Sequence, residues 1–138
     1  MKESGVAREN YVVIVGCGRL GAHLAELVSG RGSSVVVVDT NPDAFLALPS
    51  EFSGFTVEGD ASEMGVLLQA KAGRADLFVA VTGSDNLNLM AAQIAGRLLG
   101  AKRALARVDE PSRVDAFVDI GIEVISPTTI MAGLFLTA

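Results

Sequence analysis

Residues 11–40 read YVVIVGCGRLGAHLAELVSGRGSSVVVVDT. A β-branched run leads straight into Gly16, Gly18 and Gly21, then into a stretch with helical spacing, and a second β-branched run ends at Asp39. G-x-G-x-x-G alone is a weak signal, but between a strand and a helix it has a mechanical reading. Gly16 allows the tight turn, Gly18 lets a pyrophosphate approach the backbone, and Gly21 lets the helix pack close to the strand. A helix opening near Arg19 aims free N–H groups and the positive end of its dipole at an anion. Asp39, 18 residues beyond Gly21, stands where a carboxylate can accept from ribose hydroxyls, and its charge disfavours the 2′-phosphate of NADP. The alternative for Asp39 is a turn or cap residue ahead of Asn41.

Outward from this unit, strand-like runs recur as FTVE, DLFVAV, ALARV and EVIS, with helical patterns between them. Continuous apolar strands separated by helices argue for an α/β protein. The expected fold is a Rossmann-like doubly wound sheet of six mainly parallel strands with helices on both faces. Asn41–Pro42 and Ser126–Pro127 read as N-caps with proline at the first helical position. Between Ser84 and Gly100, Leu87, Met90, Ala91, Ile94, Ala95 and Leu98 fall on one helical face, the expected core side. Residues 1–10 read as a flexible N-terminal leader and residues 11–138 as one nucleotide-binding domain.

In a doubly wound sheet the ligand crevice lies at the carboxyl ends of the strands, where strand order reverses. GDAS after the third strand brings Asp60 and Ala61 toward an adenine edge, and VTGSD after the fourth brings Thr82 and Gly83 toward phosphates or a second ribose. Ser62 and Ser84 fit ligand contact or helix capping equally. Arg19 and Arg107 are the cations best placed to meet phosphates, though Arg107 also fits an ion pair with Asp109. With Cys17, Leu20 and Thr40 from the turn and the second strand end, these residues make up the candidate site.

The totals narrow the function. The chain has 138 residues, 11 Lys plus Arg against 16 Asp plus Glu, a net charge of −5, one histidine and one cysteine. No basic stripe tracks a nucleic-acid backbone, and the longest apolar stretches are strand-sized, so direct membrane insertion is not expected. Cys17 alone supplies neither an internal disulfide nor a zinc site, and fits a reducing, cytoplasmic setting. A helix N-terminus can lower a thiol pKa, but no partner base accompanies Cys17, which reads as a turn residue donating its backbone N–H. His23 lies a turn inside the first helix, no metal-ligand or paired acid–base pattern appears, and the expectation is a binding protein with no catalytic residues.

VGCGRLGAHLAELVSGRGSSVVVVD, GDAS, ADLFVAVTGSDNLNLMAAQIA, ARVDEP and GIEVISPTTIMA, in this order, resemble the RCK/KTN nucleotide-binding domain, also called the TrkA N-terminal domain, from about Tyr11 to Leu136. The resemblance implies a domain that binds NAD(H), ATP or ADP, assembles as homodimers within larger rings, and regulates a potassium transporter or channel from the cytosolic face of the membrane. It also implies that Gly16, Gly18, Gly21 and Arg19 hold phosphate, Asp39 the ribose, Asp60 and Ala61 the adenine, and Thr82, Gly83 and Arg107 the far side. Some ATP-responsive members carry a glutamate just after the final proline, part of a cation site; here Thr128 follows Pro127. Many members continue into a C-terminal ligand domain where this chain ends in GLFLTA, so Ile130, Met131, Leu134 and Phe135 are expected to pack on a partner subunit. The rival readings are the cofactor half of an NAD-dependent dehydrogenase and an assembly domain without ligand.

Overall fold

The computed structural model describes residues 10–114 and 121–138. Six strands form one sheet: β1 (Tyr11–Val15), β2 (Ser34–Asp39), β3 (Phe55–Glu58), β4 (Leu77–Ala80), β5 (Ala104–Arg107) and β6 (Glu123–Ile125). Their order is β3-β2-β1-β4-β5-β6 and every pair is parallel. The chain runs outward from β1 to β3, then crosses to the other side of β1 for β4. The strand ends of β1 and β4 therefore mark the switch point of a doubly wound sheet.

The valine runs work because both faces are covered. Val12, Ile14, Val35 and Val37 point to one side and pack with Ala22, Ala25 and Val28 of helix α1 (Arg19–Gly30). Val13, Val15, Val36 and Val38 point to the other, with Leu67 of α2 (Met64–Gln69) and Leu89, Ala91 and Ala92 of α3 (Asp85–Gln93). Alternation with a period of two thus fills both layers with β-branched side chains that suit the pleat.

The helices depart from the expected pattern in two places. Asn41 does cap, accepting from the Asp43 N–H at 3.0 Å, but the segment it opens, Pro42–Ala47, is a run of 3-10 turns rather than an α-helix. The helix after Ser84 is capped as expected, the Ser84 hydroxyl accepting from the Leu87 N–H, yet its core face is shifted. Asn88, Leu89, Ala91, Ala92 and Ala95 are buried, whereas Met90 and Leu98 are 50% and 69% exposed. Small residues decide the phase: a Cβ placed on Gly96 would come within 3.1 Å of the Ala104 Cβ on β5. A π turn over Ile94–Leu98 then carries Leu98 outward.

At the amino end, Asn10 is hydrogen-bonded to the sheet and to Asp76. Its N–H donates to Asp76 Oδ2 at 2.9 Å and its carbonyl accepts from the Ser34 N–H at 2.8 Å. The remainder of the expected leader, residues 1–9, lies outside the described residues. At the other end, α4 (Pro127–Thr137) starts on the Ser126 cap, whose hydroxyl accepts from the Thr129 N–H. Ile130, Met131, Leu134 and Phe135 on this helix are all exposed.

Candidate functional site

A cleft of about 890 Å³ opens at the carboxyl ends of the strands on the switch point. The glycine turn forms its floor. Gly16 has φ +105, a left-handed conformation that a side chain strains against, and its N–H is tied to the Val38 carbonyl at 2.7 Å. A Cβ on Gly21 would overlap the Gly16 carbonyl oxygen, so helix α1 can lie this close to the turn only with glycine there. Above Gly18 nothing comes within 4 Å of where a Cβ would be.

That open space faces the start of α1, which has no side-chain cap and no acid in its first turn. The orphan N–H groups of the first turn, the dipole and the exposed Arg19 therefore converge on one uncovered volume suited to phosphate. Asp39 forms the adjoining wall at the end of β2. Its Oδ2 accepts from the Cys17 N–H at 2.8 Å and its Oδ1 from the Asn41 N–H at 2.9 Å. The carboxylate thus braces the glycine turn and still has lone pairs for a ligand hydroxyl.

Of the sequence candidates, Gly16, Gly18, Arg19, Leu20, Asp39, Thr40, Ala61, Thr82, Gly83 and Arg107 line this one cleft. Cys17, Gly21 and Asp60 do not. The Cys17 amide is engaged by Asp39, and its thiol is buried. Burial, with Asp39 adding to it, pushes that thiol above its ordinary pKa, the reverse of the lowering a helix N-terminus alone would give. Asp60 closes a local turn, accepting from the Ser62 N–H at 2.9 Å and hydroxyl at 2.7 Å, and these bonds hold it below its usual carboxylate pKa. His23 reaches the rim with its side chain 63% exposed, 3.6 Å from Glu26.

The far wall rests on residues that sequence reasoning missed. Asn88, fully buried on α3, accepts from the Thr82 N–H at 2.9 Å and the Thr82 hydroxyl at 2.6 Å. Its amide nitrogen donates to the carbonyls of Thr82 at 3.0 Å and Arg107 at 2.9 Å. One side chain thereby locks the ends of β4 and β5 together. Asp85 holds the next stretch, accepting from the Asp109 N–H at 2.8 Å and the Glu110 N–H at 3.1 Å. Arg107 pairs with Asp109, Nε to Oδ1 at 2.8 Å and Nη2 to Oδ2 at 3.3 Å. A polar residue amid alanines on an inward helical face was the one sequence signal for Asn88.

Among the described residues no group of three or more His, Cys, Asp or Glu could hold a metal ion, and no helix is long and apolar enough to cross a membrane.

The TrkA-N domain family model matches residues 12–127. The chain is 34% identical over 116 residues to the Trk system potassium uptake protein TrkA of Streptomyces coelicolor, covering 84% of this chain and 52% of that protein. It spans about half the length of some of the curated relatives it matches and under a quarter of others. Among solved structures, the TrkA-N domain of the inner membrane protein ybaL from Escherichia coli superposes with a TM-score of 0.81 at 21% identity, over 96% of this chain and 98% of that one. The GsuK channel bound to NAD superposes with a TM-score of 0.74 at 26% identity, over 98% of this chain and 24% of that one.

Proposed function

This chain belongs to the TrkA-N domain family, and from that premise we propose that it is a nucleotide-sensing regulatory domain of a potassium transporter or channel. On this reading it binds NAD(H), ATP or ADP in the cleft and acts on its membrane partner from the cytoplasmic face, as a homodimer or part of a larger ring. One observation carries the proposal: the uncapped start of α1, the space above Gly18, Arg19 and the Asp39 carboxylate all face the same cleft. A phosphate on the amides and a ribose on the acid are what that arrangement accepts.

The potassium-uptake name of the Streptomyces coelicolor relative and the NAD bound to the GsuK channel support the assignment of partner and ligand class. The lining also favours sensing over turnover. Its titratable side chains are Arg19, His23, Asp39 and Arg107, of which Asp39 braces the turn and Arg107 pairs with Asp109. Binding then does its work by favouring one conformation over another, which requires unequal affinity for the two.

Calorimetric titration of the purified chain with NADH, ADP and ATP tests this directly. Saturable binding of at least one of them, with no consumption of NADH over hours, is the expected result. Absence of heat with all three would refute the nucleotide assignment, and steady NADH oxidation would favour an enzyme.

A further inference from the structure

The cleft presents its two arginines in opposite states. Arg19 is exposed and has no hydrogen-bond or ion-pair partner among the described residues. Arg107 lines the same cleft with its Nε and Nη2 already donating to both oxygens of Asp109. Asp109 does not line the cleft, and it is held from behind by the bonds that its own amide and that of Glu110 give to Asp85. The Arg107 carbonyl is fixed by Asn88. Backbone on both sides of the ion pair is therefore anchored to α3, so the carboxylate does not swing away with its loop. A guanidinium paired side-on keeps its other edge of donors for a ligand.

We propose, resting on the nucleotide reading above, that Asp109 is a specificity-determining residue that sets how much phosphate charge the cleft accepts. It cancels the charge of Arg107 without occupying the cleft. A phosphate on the open edge of Arg107 keeps the hydrogen bonds but meets a carboxylate just behind the guanidinium. The repulsion grows with ligand charge, so it weighs least on NADH, more on ADP and most on ATP. The pair is partly open to water, with side chains 30% and 44% exposed, so screening limits the effect without abolishing it.

Asp109→Asn keeps the shape and an acceptor for Arg107 while removing the charge. By calorimetry at low salt the variant should bind ATP about three- to tenfold more tightly relative to NADH than the parent chain does, with ADP between. The gain should shrink in concentrated salt. Asp109→Ala, which asks the loop to hold no new polar group, carries the same expectation if the asparagine variant folds poorly. A parent chain that binds nucleotides but shows an unchanged ATP-to-NADH ratio in either folded variant would overturn the role of Asp109 alone. A parent chain that binds none of the three would overturn the nucleotide reading and this inference together.

Discussion

Replacing Asn88 by alanine is the most direct test of how the far wall is built. The residue is fully buried and its amide makes bonds to Thr82 N, Thr82 Oγ1, Thr82 O and Arg107 O. The Thr82 hydroxyl has a second acceptor within reach, the Ser84 carbonyl at 3.3 Å, so its loss is recoverable. Among the described residues no second partner replaces Asn88 at the Thr82 N–H, the Thr82 carbonyl or the Arg107 carbonyl. At about 1–3 kcal/mol for each polar group left unsatisfied, the substitution costs about 3 kcal/mol, less where water enters the gap. For a chain of this size that lowers the melting temperature by roughly 10 °C.

Thermal melts followed by circular dichroism would read the stability, and NADH titration well below the melting point would read the site. The expected outcome is a loss in both, because Thr82 and Arg107 lose their common anchor. Asn88→Asp should be worse at neutral pH, since it discards both donors and buries a charge. A melting temperature within about 2 °C of the parent for Asn88→Ala would show that the clamp contributes little, and the account of the far wall would fail.

Gly21→Ala should destabilise the chain by about 3 kcal/mol or more and abolish nucleotide binding, since the new methyl overlaps the Gly16 carbonyl and α1 must move off the turn; a melt and a titration check both. Asp39→Asn should weaken NADH binding by about tenfold to a hundredfold, the value of a charge-assisted hydrogen bond, and unchanged affinity would remove Asp39 from the ribose site. Asp76 accepts from the amides of Asn10 and Tyr11 and from Lys102 Nζ at 3.0 Å. Those bonds, that from Lys102 first, hold it below its ordinary pKa of 3.8. Since the folded value is the lower one, its stabilisation is complete above the ordinary value and is lost as pH falls beneath it. In acid melts, Asp76→Asn should therefore lose less stability than the parent below about pH 4.

The fold was readable because its determinants are local. Val12 to Val15 and Val35 to Val38 alternate with a period of two between a core closed by the adjoining α1 and a second one closed by α2 and α3, and the glycine turn must satisfy a steric condition within six residues, from Gly16 to Gly21. What escaped was set by approach distance. Along α3 and the π turn that follows it the hydrophobic scale favours Met90 and Leu98, but β5 offers only alanines at Ala104 and Ala106, so this stretch packs close and buries Leu89, Ala91, Ala92 and Ala95. Asn88 escaped for a related reason: its partners at Thr82 and Arg107 meet only after two strands have paired. At Cys17, burial and then the neighbouring Asp39 raise the thiol pKa, where a helix N-terminus alone would lower it.

These contacts also constrain how a bound nucleotide could be felt elsewhere. The α1 side of the cleft is stiffened by Gly16 N to Val38 O and Cys17 N to Asp39, and the α3 side by Asn88 and Asp85. The two sides are joined through the sheet itself, Val81 N donating to Val15 O at 2.8 Å. Sliding one half past the other would break buried backbone bonds, each expensive to leave unmade, so the sheet is a poor hinge. Past the partly exposed Arg107–Asp109 pair, β5 leads to β6 through a short register: Arg107 lies opposite Ile125, and Val108 N donates to Ile125 O at 3.0 Å. Ser126 and α4 come directly after, with Ile130, Met131, Leu134 and Phe135 facing outward. A ligand charge met at Arg107 is thus linked to an apolar face by covalent and hydrogen-bonded steps, through an ion pair that is itself partly open to water.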